Sequence, residues 1–515
     1  MYNLSFTMRY YKLFIIGLGM FLASCSGPSI PTDATQTGKA PEIFPDYTGV
    51  TIPSNLCPTN FMLPDCEEAV ARLSFGDLSF IYGDENKIII DEDEWKQLRD
   101  LAAGDSKGIT VEVYGKKDGK WLSYKSFPIY VAKDSIDPYI SYRLIEPSYI
   151  AYEDLRIVQR NITGFEESDI YNNAKIMAQG EGQCINCHSF QNYGTDNMLF
   201  HMRQFLGGTM IAHNGELTKV NLKTDSTISA GVYPAWHPTA ELIAFSTNTT
   251  RQYFMTKDAS KVEVFDKEAD LILYDVKKNE VSPICKTVEE MECFPTWSPD
   301  GKTLYYTSAH FNYADSVAKK VNLRNRYADV KYNIYSRSFD INTQKFGEPQ
   351  LVFDAAALGK SATLPRVSPD GRYIAFSLGK YGCFHVWHKD ADICIIEVPH
   401  DQNGESESKQ AVNTQLLNSP ESESYPSFSS NGRWIMTASR RDDGNYTRPY
   451  ISYFDAQGKC HKAFQIPQRN PEHNIMLLRS YNRPEFMKEK VKITLKQFED
   501  KAQEDAVNAK FVSKY

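Results

Sequence analysis

Six consecutive residues, 183–188, carry the most specific chemistry in this chain. They read Gln-Cys-Ile-Asn-Cys-His, so Cys184, Cys187 and His188 form a Cys-x-x-Cys-His pattern. In this pattern, two thiols one helical turn apart form thioethers with the vinyl groups of a c-type haem, and the histidine binds the iron. A redox disulfide or half of a structural zinc site would use the same cysteines, but zinc requires a second Cys/His pair of comparable spacing, and the sequence has none. The sequence therefore predicts one covalent haem c with His188 as the proximal iron ligand.

The sixth ligand determines what such an iron can do. Methionine or histidine gives a closed iron suited to electron transfer, whereas an open position permits small-molecule binding or peroxidase-like chemistry. Residues 198–202 read as a strand, in which Met198 and Met202 point to one face and His201 to the other. We predict His201 as the distal ligand and Met198 as the second candidate, the alternative being that these methionines fill the core. Further candidates nearby are Met177, Met202, Met210 and His213.

The N-terminus predicts export. Arg9 and Lys12 precede an apolar run, residues 13–22, that is too short to span a bilayer. The run ends in Leu-Ala-Ser-Cys at Cys25, which resembles a bacterial lipoprotein signal. That resemblance implies that Cys25 becomes the lipid-modified first residue and anchors the protein to a membrane. In the alternative, an ordinary secretory signal, Cys25 is incidental; either signal exports the chain to where a c-type haem is assembled.

The net charge limits the classes of partner that we expect, and the cysteines indicate which disulfides an oxidising compartment would allow. The formal net charge of −8 becomes −10 when residues 1–24, which contain Arg9 and Lys12 and no acid, are removed. An acidic chain argues against nucleic acid as a partner. Of the ten cysteines, seven remain after lipid and haem are assigned. In an oxidising compartment the close pairs are candidate disulfides, with Cys460 left over: Cys57/Cys66, Cys285/Cys293 and Cys383/Cys394.

Composition and hydrophobic patterning divide the chain into six segments. We predict a signal peptide (1–24), a flexible tether (25–45), a small β-sandwich-like domain (46–145), a connector (146–186), a β-propeller (187–484) and a charged tail compatible with a helix (485–515). The tether is rich in Ser, Pro, Thr and Gly. A helix is expected within the small domain at 93–102, and a short one in the connector at 166–177.

One pattern repeats four times in the predicted propeller. The copies begin at Tyr233, Phe294, Leu364 and Tyr425, each followed by proline, and each precedes a strand-like run. The Ser-Pro-Asp-Gly that follows two of them is turn chemistry, because proline presets φ and glycine accepts a positive φ. Such repeats are typical of β-propeller blades, so we predict an all-β fold with six or seven blades. The segment Cys187-His188-Ser189-Phe190 overlays Tyr-Pro-Ala-Trp of the first copy, which places the haem on the first blade.

The repeats also carry a family resemblance. The core from Trp297 to Lys302, Trp-Ser-Pro-Asp-Gly-Lys, resembles the TolB-type propeller repeat over residues 187–470. More narrowly, the chain resembles Bacteroidetes outer-membrane lipoproteins that join Cys-x-x-Cys-His-Ser-Phe to such a propeller. That resemblance implies haem, export and a periplasm-facing lipid anchor, without an established activity. The segments that carry it are residues 139–147, 184–190, 384–392, 439–450 and 480–486.

Three functions follow from these patterns. The first is electron transfer or redox sensing in the cell envelope, with an unidentified redox or protein partner. The second is a non-catalytic propeller that binds a protein or glycan, with haem structural or absent. The third, a haem-dependent oxidoreductase or peroxidase, ranks last because no distal acid–base group is identifiable. No catalytic residue is predicted; Arg440-Arg441-Asp442-Asp443 reads as a solvated turn, and His388 is a weaker site candidate.

Overall fold

The computed structural model describes residues 27–146, 154–176, 183–255, 261–311, 325–398 and 411–513. The predicted signal peptide, the predicted lipidation site Cys25 and Met177 lie outside these residues, as does the side chain of Cys187. Within the described ranges, no helix has the length and apolarity needed to cross a membrane.

The N-terminal part of the chain is a mixed sheet with one helix. Seven strands form the sheet, in the order β1-β8-β7-β4-β5 with β9 bridging β7 and β2, while β3 pairs with β6. Helix α1 (Glu92–Ala102) begins at Asp91, whose side chain accepts two backbone N–H groups, and it buries Trp95 and Leu98. The second layer is thus a two-stranded sheet and a helix rather than the second full sheet of a β-sandwich. The strands are β1 (Thr35–Gln36), β2 (Thr51–Ile52), β3 (Phe61–Met62), β4 (Glu68–Phe75), β5 (Leu78–Tyr82), β6 (Lys87–Ile88), β7 (Ile109–Lys117), β8 (Lys120–Ser123) and β9 (Phe127–Val131).

The predicted flexible tether is partly ordered. Within 27–45, strand β1 pairs in parallel with β8, and Ile43 is buried in the core of this sheet. Hydrophobic patterning did not predict this order, because one buried isoleucine and a two-residue strand pairing leave almost no periodicity in a polar segment.

The remaining strands form a propeller-like arrangement of sheets. Strands β10 (Tyr139–Ile145), β11 (Arg156–Asn161) and β12 (Glu167–Asn172) pair with the C-terminal β33 (Ser480–Met487). The next sheet contains β13 (Gln183–Gln191), β14 (Gly194–Gln204), β15 (Gly208–His213), β16 (Glu216–Asn221) and β34 (Val507–Asn508). A ten-stranded sheet contains β17 (Val232–Trp236), β18 (Leu242–Phe254), β19 (Val262–Asp275), β20 (Glu280–Cys285), β21 (Glu290–Trp297), β22 (Thr303–His310), β23 (Asn333–Asp340), β24 (Lys345–Phe346), β25 (Gln350–Phe353) and β35 (Lys510–Phe511). Two smaller sheets contain β26 (Ser361–Val367), β27 (Tyr373–Gly379) and β28 (Asp392–Glu397), and β29 (Glu423–Phe428), β30 (Trp434–Ser439), β31 (Arg448–Tyr453) and β32 (Phe464–Gln465).

A repeated backbone kink brings these sheets to one axis. In five strands the residue before a proline has a positive φ: Tyr233 (49°), Phe294 (53°), Leu364 (56°), Tyr425 (50°) and Arg483 (51°). At each of these positions the strand register shifts, which is a β-bulge. All five residues line one small central cavity of about 20 Å³. The repeated X-Pro dipeptides therefore mark the axis of the propeller-like arrangement.

The number of blades differs from the prediction of six or seven. Four blades are counted in this arrangement, and four of its sheets have at least four strands. The count is lower because one sheet of ten strands spans two of the sequence repeats, and the sheet of β26 to β28 has only three strands. The sequence of a repeat does not show whether its outer strand pairs with a strand of the next repeat.

Two further segments differ from their predictions. The helix expected at 166–177 is instead strand β12 followed by a short 3-10 turn at Asn173–Lys175. The strands at 139–172 belong to the sheet closed by β33, a pairing between residues more than 300 positions apart that local patterns cannot reveal. The C-terminal tail contains helix α3 (Leu495–Ala502) as well as β34 and β35, and a short helix α2 (His473–Met476) precedes β33.

The expected disulfides are absent among the described residues. All eight described cysteines are free thiols: Cys57, Cys66, Cys184, Cys285, Cys293, Cys383, Cys394 and Cys460. Cys285 and Cys293 pack into different hydrophobic clusters, and so do Cys383 and Cys394. Proximity along the chain therefore does not bring these thiols together.

Candidate functional site

The Cys-x-x-Cys-His motif lies on strand β13, not on a helix. In the pairing of β13 with β14, Asn186 faces His201 and Ser189 faces Leu199, so Cys187 and His188 form a bulge between the two pairs. This is the same three-residue spacing that places a bulge at each of the X-Pro dipeptides. The overlay of the motif on the repeat is thus confirmed, and His188 takes the position that proline has in the other copies.

His188 is a buried, neutral imidazole. Its side chain is 1% exposed, and burial, together with the positive charges of Arg483, Arg143 and Arg366, holds the pKa of His188 well below its usual range. The ring donates one hydrogen bond to the backbone carbonyl of Arg483, while Nε2 has no hydrogen-bond partner among the described residues. A neutral ring with one nitrogen tied to the backbone and the other without a partner is the form that binds a metal.

A carboxylate faces His188 across the axis. The Oε2 atom of Glu485 lies 3.8 Å from Nε2 of His188, which is too long for a hydrogen bond, and Oε2 also lacks a partner in the described chain. The other oxygen, Oε1, lies 3.2 Å from Nη2 of Arg366 and 3.7 Å from Nη2 of Arg483. Glu485 therefore compensates the two arginines rather than the histidine.

Cys184 opens onto a cavity of about 260 Å³ that we name the arginine cavity. Its thiol is half-buried and accepts a hydrogen bond from Nδ2 of Asn186 at 3.3 Å. Arg143 fixes this part of β13, because Nη1 donates to the carbonyl of Ile185 (2.7 Å) and Nη2 donates to Asn482 on β33 (3.0 Å). Four arginines line the cavity: Arg143, Arg203, Arg440 and Arg483.

Sequence reasoning missed the arginine cavity. Arg440, predicted to lie in a solvated turn, is 3% exposed, and its guanidinium lies 3.4 Å from the centre of the Trp387 ring. Its Nε donates to the carbonyl of Val386 at 2.6 Å. The four arginines come from strands far apart in sequence, and no spacing pattern connects them.

The structure does not place the predicted distal ligands against His188. His201 is 4% exposed and its Nδ1 shares a hydrogen bond of 3.2 Å with the hydroxyl of Thr209, and burial lowers the pKa of His201 to about 3. Met198 is fully buried in a cluster with Phe200, as are Met202 and Met210. Leu199 belongs to a different cluster, so the predicted alternation of faces along β14 is confirmed. None of the contacts described for His201 or Met198 is with His188.

The side chains at this site are of the types that hold a haem iron, but the cavity beside them is small. No three His, Cys, Asp or Glu side chains of the described chain are grouped to hold a metal ion, but a haem iron needs only one or two protein ligands. His188 supplies such a ligand atom, and Cys184 lies at the wall of the cavity. The cavity, about 260 Å³, is below the roughly 300–1,000 Å³ of most ligand pockets. Oε2 of Glu485, 3.8 Å from Nε2 of His188, lies within the distance that separates two ligands of one metal ion, so this carboxylate would border an iron held by His188.

A second buried polar cluster lies among residues of β19 and the segment before β28. Nε2 of His388 lies 2.8 Å from Oε2 of Glu263, and both side chains are almost completely buried. Close by in sequence, Asp266 accepts a hydrogen bond from Nδ2 of Asn248 at 2.9 Å and is also hydrogen-bonded to the thiols of Cys293 and Cys383. Burial raises the pKa of Asp266 to about 7. His388 is thus part of an internal histidine–carboxylate hydrogen bond, and it is not among the residues that line the arginine cavity.

Asp266 is expected to make stability depend on pH. Between its ordinary pKa of 3.8 and the folded value of about 7, the folded state keeps a proton that the unfolded chain has released. Stability from this group is therefore complete below pH 3.8 and is lost as the pH rises towards 7, by up to about 1.4 kcal/mol per pH unit. Asp266→Asn is expected to reduce the pH dependence of the free energy of unfolding without abolishing it, because burial also raises the pKa of Glu292 to about 8; urea denaturation at pH 5 and 7 measures the change. The exposed Asp329→Asn serves as control and should keep the wild-type slope; an unchanged slope in Asp266→Asn would contradict the assignment.

Comparisons with known proteins do not identify a family. No family model matches the chain, and no curated protein matches it. Solved structures with a similar arrangement include the puromycin-hydrolyzing peptidase of Mycobacterium tuberculosis (8% identity, TM-score 0.35, 62% of this chain and 46% of that chain). Others are a GH74 enzyme of Niastella koreensis (11%, 0.37, 64% and 46%) and prolyl oligopeptidase B of Galerina marginata (10%, 0.35, 64% and 44%). This chain spans less than half of each of these proteins. At such identities none of them assigns an activity to it.

Proposed function

We propose that this protein is an exported lipoprotein that carries one covalent haem c on a β-propeller and serves electron transfer or redox sensing in the cell envelope. The observation that carries the proposal is His188: it is buried, neutral and has an unpartnered Nε2, and it lies directly after a cysteine pair whose first member opens onto a cavity. The other copies of the repeat have proline at this position, and a proline side chain offers no ligand atom.

The residues of the site have distinct roles in this proposal. Cys184 and Cys187 anchor the haem, and His188 holds the iron, which supplies a one-electron redox couple when bound. The backbone of Arg483 fixes the ring of His188, and Arg143 fixes the strand that carries both. Burial excludes water from the ring. Cys25 remains the proposed lipid attachment site, with an outer-membrane anchor facing the periplasm.

The propeller that supports this site is proposed to have six TolB-like blades. The three-residue bulge occurs in six inner strands, and five of them carry the X-Pro dipeptide at the axis. Within the ten-stranded sheet the two repeats are joined by a single parallel pair, Ala269 and Met291. Separating the sheet there yields two blades, and β26 to β28, with a bridge from Ile396 of β28 to Ala411, form a further blade of which the described residues contain three strands.

A binding propeller remains the second candidate. The observation that favours it is the arginine cavity, which collects polar and aromatic side chains from several sheets, as a binding site does. In that function the haem is structural or absent.

Adding carbon monoxide to the reduced protein separates electron transfer from the third candidate, a haem enzyme. A six-coordinate iron does not bind it, and binding would favour the enzyme.

His201 is the proposed distal ligand, and its removal gives a spectroscopic test. Because Nδ1 is shared with Thr209, Nε2 is the atom left for iron. His201→Ala is expected to shift the ferric absorption spectrum of the haem-loaded protein towards high spin. His213→Ala, which removes a histidine paired with Glu241, serves as control and should leave the spectrum unchanged. An unchanged spectrum in His201→Ala would eliminate His201, and the same comparison with Met198→Leu would then test the second candidate.

A further inference from the structure

The arginine cavity carries an excess of positive charge. Arg143 lies on β10, Arg203 on β14, Arg440 directly after β30 and Arg483 on β33. Among the described lining residues the one carboxylate is Glu146, so the lining has three more positive than negative formal charges. These arginines come from three separate sheets, so they are brought together only in the folded protein.

Of the four arginines, Arg483 has the most buried nitrogen atoms without a partner among the described residues. It is 6% exposed, and its Nη2 donates to the carbonyl of Pro234 at 3.2 Å. Its nearest carboxylate oxygen, Oε1 of Glu485, is 3.7 Å away and is shared with Arg366. Both Nε and Nη1 are buried without a partner among the described residues. A guanidinium stays charged and has five N–H donors, so the three donors on these two atoms, which have no partner among the described residues, require acceptors that a ligand can supply.

Two of the other arginines are already held in place. Arg143 is bonded to the carbonyl of Ile185 and to Asn482, and Arg440 is bonded to the carbonyl of Val386 and stacked on Trp387. A group that is ordered before binding loses less conformational entropy when the ligand arrives. Arg203 is exposed at the rim, opposite Cys184 in the strand pairing.

We propose that the arginine cavity binds an oxyanion, either a carboxylate or a phosphate, carried by a small molecule. Arginine forks match the planar geometry of these groups and bind them through paired hydrogen bonds. Thr447, Ser480 and Asn482 add uncharged polar residues to the same lining, and the Thr447 hydroxyl is held by the carbonyl of Tyr481 at 2.7 Å. The oxyanion has two possible sources, a propionate of the haem or a free anionic solute. The first source rests on the proposed function, and the second does not.

The test uses isothermal titration calorimetry of the mature, haem-free protein with inorganic phosphate and, separately, with glucuronate. Wild-type protein is expected to bind at least one of them. Arg203→Gln removes a rim cation that supports no described contact, and it is expected to weaken binding about fivefold or more because charge-assisted hydrogen bonds are the strong ones. Arg483→Met is expected to weaken binding further. Arg72→Gln on β4 is the matched control and should bind as wild type.

The haem-loaded protein then identifies the source. Binding that is present in haem-free protein and lost in haem-loaded protein assigns the cavity to the propionates, whereas binding in both forms assigns it to a free solute. Absence of binding by haem-free wild type, or equal affinities in wild type, Arg203→Gln and Arg483→Met, would overturn the proposal. If the protein never acquires haem, the haem-free titration still decides whether the cavity binds an oxyanion.

Discussion

Protein in which Cys184 and Cys187 are both replaced by serine is expected to carry no haem after denaturation, while keeping its fold. The reason is chemical: serine hydroxyls do not form thioethers with haem vinyl groups. The fold should survive because the Cys184 thiol is half-buried and its described hydrogen bonds, from Nδ2 of Asn186 at 3.3 Å and to the carbonyl of Ile185 at 3.9 Å, are weak sulfur contacts. The measurement is haem staining of the denatured protein, with circular dichroism to confirm folding.

A matched cysteine provides the control for this experiment. Cys394, on β28, is half-buried like Cys184 but lies outside the arginine cavity. Cys394→Ser is expected to retain the wild-type amount of covalent haem. Haem that survives denaturation in the double serine variant would show that the attachment does not use the Cys-x-x-Cys-His motif, and the proposal for this site would then fail.

Trp434→Ala is expected to lower the free energy of unfolding by about 3–5 kcal/mol, the range for removing a large buried aromatic side chain. Trp434 is fully buried on β30, and its Nε1 donates to the carbonyl of Ser135 at 3.0 Å. It belongs to the same hydrophobic cluster as Trp95 of helix α1 and Tyr142 of β10. The indole therefore joins the propeller-like sheets to the N-terminal sheet, and its loss should also loosen that connection.

Urea denaturation of Trp434→Ala, followed by both fluorescence and circular dichroism, measures this effect. Trp121→Ala is the matched control, because Trp121 on β8 is only half-buried, and its removal should cost about 1 kcal/mol or less. Two separated transitions in Trp434→Ala would show that the N-terminal sheet now unfolds independently. A loss no larger than that of Trp121→Ala would contradict the assignment of Trp434 as the connecting residue.

The sequence repeats predicted the local geometry well and the closure of the fold poorly. The repeats predicted that a strand follows each X-Pro dipeptide, whereas the position of these dipeptides at the axis was not predicted and emerged only from their positive φ and the register shifts. The pairing of β10 with β33 was missed because it joins residues more than 300 positions apart, which leaves no local signature. The ordered part of the tether was missed for the same reason, since β1 adds its two residues to the distant β8.

The candidate site was predicted in part. Cys184 and His188 stood out because their spacing carries a specific chemistry, and their position on the repeat follows from the neighbouring copies. Glu485 and the arginines of the cavity were missed as a group, because they come from distant parts of the chain and meet only when the sheets surround the axis. Arg440 shows the limit most clearly: four charged residues in a row looked solvated, yet one of them is buried against Trp387.

The central claim, that this chain carries a covalent haem, is tested most directly by one measurement on wild-type protein. The mature chain is expressed with and without a cytochrome c maturation system, denatured, and examined as its pyridine haemochrome. The account predicts a c-type haemochrome retained after denaturation, at one haem per chain, in the protein made with the maturation system. Folded protein from the same cells with no covalent haem would contradict it and would make the binding propeller the leading function.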